Sequence, residues 1–242
     1  MTSDRPSDRP SERRSAARTS VVWDALLPAL GGPGDVLDIG GGTGGFAVRV
    51  AEHGHRVTVV DPSPDALASL ARRAREIGVA VAGEQGDLSS LLEAVGADSA
   101  DAVLCHGVLE VVDDPAAGLA TIRQVLRPGG TLSLLVAQRH AAVVARAMAG
   151  HFAQALAMLD DAEAGAGRSG RRFTEVELRD LLAGAGFDVV GVHGVRVFAD
   201  LVPGSLLDLE PGASGALVEL ERAVAERTDY RPLATQLHVL AR

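Results

Sequence analysis

The residues best suited to chemistry follow the first two apolar strands of the chain. The stretch VLDIGGGTGG places Asp38 near the end of one strand, before Gly40, Gly41 and Gly42, and VTVVDPS places Asp61 directly after the next. Glycine lets the main chain approach a ligand, and an acid directly after the second strand can accept hydrogen bonds from both hydroxyls of a ribose. The glycines fit both GxGxxG and DxGxGxG, so they predict a nucleotide-containing cofactor and leave two cofactor classes open.

Alternating strands and helices must hold these residues in place. Apolar runs predict strands, and amphipathic stretches between them predict helices. This alternation indicates an α/β fold built on a mostly parallel sheet of seven strands with helices on both faces. Five strands are expected at 36–39, 57–60, 79–82, 101–108 and 131–137, with helices at 44–52, 64–77 and 115–126.

The two ends of the chain depart from this rhythm. Residues 1–15 repeat SDRP and contain almost nothing apolar, so we expect a disordered tail. Residues 16–242 are expected to form a single domain that opens with a helix and carries a helical insertion at about 138–172. Beyond the insertion we expect a helix capped by Thr174, a kinked strand at 188–198, a helix at 214–227 and a final antiparallel strand at 233–242.

The composition restricts the functions that the chain can have. Its net charge of −9 argues against a large nonspecific nucleic-acid surface, although a local arginine patch could still contact phosphates. Every basic residue is arginine, which excludes a lysine nucleophile or Schiff base. The single cysteine, Cys105, and the scattered histidines predict no metal site. The lack of a signal segment or long apolar run predicts a cytoplasmic protein with no membrane partner.

Two later motifs bear on the choice between the cofactor classes. QGDLSSL (85–91) follows the third strand, and LRPGGTLSLL (126–135) leads into the fifth. Together with Asp38 and the glycine loop, these ordered motifs resemble class I S-adenosylmethionine-dependent methyltransferases. The resemblance implies a Rossmann-like methyltransferase fold, with S-adenosylmethionine as the cofactor. An NAD(P)-binding or nucleotide-sensing protein remains a distant alternative, because the same glycines satisfy GxGxxG.

Further segments resemble one family within this class. LCHGVLEVV, MAGHF, GVRVF, and ALVELERAVAER with LHVLAR are similar to segments of the tRNA 5-carboxymethoxyuridine methyltransferases, from about Arg18 onward. That family esterifies the carboxylate of a modified wobble uridine, so the resemblance implies tRNA as a possible partner. A small-molecule acceptor, methylated on oxygen or nitrogen, remains the alternative. The chain is acidic, and its insertion has LDDAEAGAGRSGRR where the family tends to be rich in lysine.

The resemblance also assigns residues to the parts of the cofactor. It implies that Arg18 pairs with the methionine carboxylate, that Asp61 holds the ribose hydroxyls, and that Asp87 lies beside the adenine. The glycine loop would border the methionine part. The full set of implied cofactor residues is Arg18, Asp38, Gly40, Gly41, Gly42, Asp61, Gln85, Gly86, Asp87 and His106.

The acceptor side is less determined by the sequence. A carboxylate is already an anionic nucleophile and requires no base, so Glu110 is expected to pack or to start a helix. No residue is assigned a catalytic role. Cationic groups should instead orient the carboxylate, and the arginines placed to do so are Arg139, Arg171, Arg172 and Arg196.

Overall fold

The described residues form a seven-stranded sheet. The structure is a computed structural model that describes residues 10–161, 170–209 and 212–242. Its strands are β1 (Asp35–Ile39), β2 (Arg56–Asp61), β3 (Val81–Gln85), β4 (Ala100–His106), β5 (Leu126–Ala137), β6 (Val189–Val195) and β7 (Gln236–Ala241). They lie in the order β3-β2-β1-β4-β5-β7-β6. β7 is antiparallel to both of its neighbours and the other pairs are parallel, which confirms the predicted α/β fold.

Helices connect the strands and cover the sheet. They are α1 (Pro10–Leu30), α2 (Ala47–Glu52), α3 (Pro64–Ile77), α4 (Leu91–Val95), α5 (Pro115–Val125), α6 (Arg139–Met148), α7 (Phe152–Ala157), α8 (Glu175–Gly184), α9 (Gly204–Leu209) and α10 (Ala213–Val224). Thr174 caps α8 as predicted: its side chain accepts from the backbone N–H of Glu177, whose side chain accepts from the backbone N–H of Thr174.

The hydrophobic core lies on both faces of the sheet. Alternate residues of β4 point to opposite faces, so Val103 and Cys105 pack in one cluster with α5 and α8, and Leu104 packs in the other with α1, α2 and α3. Burial on both faces explains why this strand is a continuous apolar run. Burial also raises the pKa of the Cys105 thiol, which fits a packing role for that residue.

Several element boundaries differ from the sequence predictions. The first helix begins at Pro10 and not near residue 16, since proline is well tolerated in the first turn, where its missing N–H has no helical partner. β3 is Val81–Gln85 and not 79–82, because its polar end continues to pair with β2. β5 begins at Leu126, inside the segment predicted as the end of a helix and a turn. The predicted helical insertion contains two short helices, α6 and α7, separated at Gly150 with φ 79°.

Two other predicted regions lie partly outside the described residues. Of the predicted tail, residues 1–9 are not described; of the predicted insertion, residues 162–169 are not. The described part of the insertion consists of α6, α7 and the short segments beside them. Among the described helices, none is both long and apolar enough to cross a membrane.

Candidate active site

The glycine loop makes a tight turn at the carboxyl end of β1. The backbone N–H of Gly40 donates to the carbonyl of Val60 at 2.8 Å, which ties the turn to the end of β2. Gly40 has φ 66°, and a Cβ there would lie 2.5 Å from Cγ2 of Val108. A Cβ on Gly41 would lie 2.5 Å from Oδ2 of Asp38. Both positions therefore require glycine, and the loop presents bare backbone to the space above it.

Asp61 is held at the end of β2, next to this loop. Its Oδ2 accepts from the backbone N–H of Gly42 at 2.9 Å, and its Oδ1 accepts from that of Ser63 at 2.8 Å. Asp61 is only 7% exposed, yet it lines a cavity. A carboxylate oriented by two backbone donors keeps lone pairs for a diol, so the arrangement fits the ribose role.

Asp38 lies beneath the loop. Its side chain is buried and accepts from the backbone N–H of Ala47, and burial together with the charge of Asp61 raises the pKa of Asp38 to about 7. The Asp38 carboxyl group thus links the glycine loop to the first residue of α2. A cationic ligand group beside it, such as an ammonium, would favour its ionised form.

Gln85 and Gly86 fix the segment that follows β3. Nε2 of Gln85 donates to the carbonyl of Pro62 at 3.4 Å, and the backbone N–H of Gly86 donates to the carbonyl of Asp61 at 3.3 Å. Neither residue lines the cavity beside Asp61. In the structure both residues therefore position their neighbours.

Asp87 does line that cavity. Its Oδ1 accepts from the backbone N–H groups of Ser89, at 2.9 Å, and Ser90, at 3.1 Å. The Ser89 hydroxyl donates to the same oxygen at 2.6 Å. These hydrogen bonds lower the pKa of Asp87, so the side chain presents an ionised acceptor at neutral pH. An acceptor in this place could receive the exocyclic amine of an adenine.

His106 ends β4 and lines the same cavity. Its Nε2 is 2.9 Å from the hydroxyl of Ser133, which is 2.8 Å from Nε2 of His238. The ring of Phe46 meets the His106 ring edge-on, at a centroid distance of 4.7 Å. Burial lowers the pKa of His106 to about 4, so its imidazole is neutral at neutral pH.

Of the predicted cofactor residues, Gly40, Asp61, Asp87 and His106 line a cavity of about 590 Å³, here called the central cavity, at the carboxyl ends of β1, β2 and β4. This is where open α/β sheets bind ligands. It is also lined by residues that the sequence did not assign to the cofactor: Val108, Val111, Val112, Asp113, Asp114 and Thr121. They belong to α5 and to the irregular segment before it, where no sequence pattern marks a ligand-facing side chain.

A larger cavity, of about 780 Å³, lies at the opposite edge of the sheet. It is bordered by Asp35, Arg56 and Ala100, the first residues of β1, β2 and β4. None of the predicted site residues is among those that line it. Size alone therefore does not identify the site, and the central cavity is the one that the sequence motifs surround.

The implied contact from Arg18 stays a prediction. Arg18 lies in α1, and its side chain is outside the part of the chain that the structure describes. Further along this helix, Trp23 is buried and stacks on Phe46 at a centroid distance of 4.6 Å, and the Arg49 guanidinium lies 4.2 Å from its ring centroid. α1 therefore packs against the start of α2, on the side of the glycine loop.

The predicted acceptor arginines occupy different environments. Arg139 is buried and its Nη2 is 2.6 Å from Oε1 of Glu177, so it anchors the start of α8, and it does not line the central cavity. Arg172 and Arg196 line another cavity, of about 410 Å³, together with Arg146. This cavity is here called the arginine cavity. Arg196 has φ 62° and pairs there with Asp200. Arg146 was not among the predicted acceptor residues, since an arginine on an amphipathic helix belongs to no recognisable motif.

The arginine cavity opens beside the central cavity. Ala137, the last residue of β5, lines the arginine cavity, and its backbone N–H donates to Oε1 of Glu110 at 2.8 Å. Glu110 follows β4, whose last residue His106 lines the central cavity and pairs with Leu135 of β5. The two cavities therefore lie at the carboxyl ends of adjacent parallel strands.

Comparison with known proteins identifies the class. A methyltransferase domain family matches residues 12–192. An S-adenosylmethionine dependent methyltransferase from Mesorhizobium loti shares the fold, with a TM-score of 0.64, 22% identity and coverage of 95% of this chain and 99% of that one. Magnesium protoporphyrin IX methyltransferase from Synechocystis PCC 6803, solved with bound SAH, also shares the fold. Its TM-score is 0.60 and its identity 16%, over 94% of this chain and 82% of that one. The protein is a class I S-adenosylmethionine-dependent methyltransferase.

Sequence relatives narrow the family. The tRNA 5-carboxymethoxyuridine methyltransferase of Escherichia coli (strain K12) is 32% identical over 241 residues, which cover 93% of this chain and 87% of the relative. A ubiquinone biosynthesis O-methyltransferase of Xanthomonas axonopodis pv. citri is 36% identical over 115 residues, 48% of each chain. The chain belongs to the tRNA 5-carboxymethoxyuridine methyltransferase family. S-adenosylmethionine is its methyl donor, which removes the dinucleotide alternative.

Proposed function

We propose that this protein methylates the carboxylate of 5-carboxymethoxyuridine at the wobble position of tRNA. The observation that carries the proposal is the pairing of the central cavity with an arginine-lined cavity at the next strand end. An anionic acceptor held at β5 would face a methyl donor held at β4. The name of the Escherichia coli relative supplies the identity of that anion. A tRNA acceptor also favours a cytoplasmic location.

Positioning accounts for most of the proposed mechanism. S-adenosylmethionine, when bound, supplies a methyl group already activated on sulfonium. The protein has to hold the acceptor oxygen in line with that group, which is the kind of alignment that rigid strand ends provide. Glu110 does not act as a base in this proposal, because a carboxylate acceptor is already anionic and the Oε1 of Glu110 already accepts from the backbone N–H of Ala137.

The acceptor is tested with labelled cofactor. Purified protein is incubated with methyl-labelled S-adenosylmethionine and total tRNA from its own host, and the tRNA counts are measured before and after mild alkali. An ester loses its label in base, whereas N-methyl and C-methyl groups keep it. Base-labile label on tRNA, with the methyl ester of 5-carboxymethoxyuridine found by mass spectrometry of nucleosides, is the expected result. Label that survives alkali would contradict a carboxylate acceptor.

A small organic acid is the second candidate acceptor. The net charge of −9 favours it, because an acidic surface repels tRNA more than it repels a small anion. The arginine cavity would hold the carboxylate of either acceptor. Base-labile methyl transfer to small acids, with tRNA inert in the same preparation, would replace the tRNA proposal with this one.

A further inference from the structure

We infer that Arg172, assisted by Arg146, binds the carboxylate of the methyl acceptor. The inference deepens the proposed function, on which it rests, by naming the two side chains that select an acid. Both residues line the arginine cavity. Arg172 precedes α8, and Arg146 comes from the last turn of α6, so the two guanidinium groups reach the cavity from different segments.

The first observation is an unpaired buried donor. Nη1 of Arg172 is buried and has no hydrogen-bond partner among the residues that the structure describes. A guanidinium N–H withdrawn from water without a partner is costly, so such a group marks a place where a ligand acceptor is missing. A carboxylate matches the planar fork of a guanidinium with two parallel hydrogen bonds.

The second observation is the charge around Arg172. Burial and the positive charge of Arg146 both lower the pKa of Arg172, and the nearby Glu110 carboxylate opposes them only in part. Two like charges brought together at a cavity wall gain stability when an anion enters between them. A neutral acceptor would leave this repulsion in place, so the pair discriminates in favour of acids.

The third observation is the rigidity of the backbone at Arg172. The residue before Arg172 is anchored, because the backbone N–H of Arg171 donates to the carbonyl of Glu110 at 2.9 Å. The residue after it is anchored as well, because the backbone N–H of Phe173 donates to the carbonyl of Ala137 at 3.0 Å. Gly170 passes so close to Glu110 that a Cβ on Gly170 would lie 2.3 Å from its carbonyl oxygen. Arg172 thus lies between two anchored neighbours, one hydrogen-bonded to the segment after β4 and the other to the last residue of β5, and this pre-organises its side chain for binding.

The other predicted arginines are less suited to this role. Arg139 is occupied by Glu177, as described above. Arg196 lines the arginine cavity and also has a buried Nε without a partner among the described residues, but its guanidinium already pairs with Asp200 and donates to Oε1 of Gln236 at 3.4 Å. An arginine that already has a carboxylate partner gains less from a second one. Arg196 is therefore assigned to shaping the cavity.

The test compares two anticodon stem-loops that differ only at the wobble base. One carries 5-carboxymethoxyuridine and the other 5-methoxyuridine, which lacks the carboxylate. Binding is measured with S-adenosylhomocysteine present, and methyl transfer to the first loop is measured separately. The variants are Arg172→Gln, Arg146→Gln and Arg172→Lys. Arg75→Gln, on α3 at the opposite edge of the sheet, is the control for loss of one positive charge.

We expect the wild type and Arg75→Gln to bind the carboxymethoxy loop about 10- to 100-fold more tightly than the methoxy loop, the range for charge-assisted hydrogen bonds. Arg172→Gln should bring the two affinities close together and raise KM for the carboxymethoxy loop. Arg172→Lys should give an intermediate preference, because it keeps the charge and loses the planar fork. Arg146→Gln should reduce the preference less than Arg172→Gln. Affinity for S-adenosylhomocysteine should stay within about twofold of wild type, which shows that each variant is folded.

An Arg172→Gln protein that keeps the full preference for the carboxymethoxy loop would overturn the inference. If instead the wild type transfers no methyl group to that loop, the tRNA acceptor itself is wrong. The arginine assignment is then judged on the small acid that is methylated. Arg172→Gln must raise the KM for that acid, and an unchanged KM would contradict the assignment.

Discussion

At the scale of single residues, Asp61 combines two tasks in one carboxylate. Its oxygens accept from the backbone N–H groups of Gly42 and Ser63, and the same group lines the central cavity. We expect Asp61→Asn to weaken S-adenosylhomocysteine binding about 10- to 100-fold, because an amide donates where a carboxylate accepts and disturbs the loop as well as the ribose contact. Calorimetric titration measures the effect. Asp65→Asn, on the exposed first turn of α3, is the matched control and should bind normally.

The buried, hydrogen-bonded imidazole of His106 predicts how the free energy of unfolding depends on pH. His106 has its pKa lowered to about 4, so between about pH 4 and pH 6.5 the folded protein binds fewer protons at this residue than the unfolded chain. Its contribution to the free energy of unfolding should therefore fall as the pH is lowered through this range, by up to about 1.4 kcal/mol per pH unit.

This contribution is obtained as the difference in unfolding free energy between wild type and His106→Gln, measured at several pH values. Subtraction is needed because Asp38, whose pKa is raised to about 7, acts in the opposite direction: its folded form binds more protons below that pH. A difference that does not change between pH 4 and 6.5 would show that His106 is not buried as a neutral imidazole.

At the scale of elements, the strand–loop–helix unit should be intolerant of side chains at specific glycines. Gly40→Ala places a Cβ 2.5 Å from Val108 at a positive φ, whereas at Gly45 nothing lies within 4 Å of the added carbon. We expect Gly40→Ala to lower the free energy of unfolding by about 1–3 kcal/mol and to abolish detectable cofactor binding. Gly45→Ala should change neither. Melting curves with and without S-adenosylhomocysteine compare the two, and equal behaviour would contradict a steric role for the loop.

The same unit shows which elements a sequence can predict. β1, β2 and β4 are buried, apolar and bounded by glycine or acids, so pattern alone placed these strands and Asp61 at one edge, whereas His106 was named from the family resemblance. β3 was misplaced because Glu84 and Gln85 are exposed at the edge of the sheet and are paired by β2 without any apolar signal. Arg146 was missed for a related reason. Its role depends on where α6 lies relative to Arg172, and that placement depends on long-range packing.

At the scale of the whole molecule, the charge distribution limits how tRNA can bind. The chain has 23 arginines against 32 acidic residues, so its overall field repels a polyanion and only local arginines can attract phosphates. Recognition must then depend on a few contacts near the acceptor base, in contrast to a broad basic surface.

The acidic composition predicts a shallow salt dependence for the proposed tRNA complex. Each neutralised phosphate in a single-stranded loop contributes a slope of about −0.7 to log K against log salt concentration. With about two to four phosphate contacts, the slope should lie between about −1 and −3, and Arg172→Gln should lower affinity with little change in that slope, because its partner is a carboxylate of the base. Stem-loop affinities measured between about 50 and 200 mM salt give the value. A slope steeper than about −6 would mean that an extensive basic surface contacts the tRNA, which the acidic composition argues against.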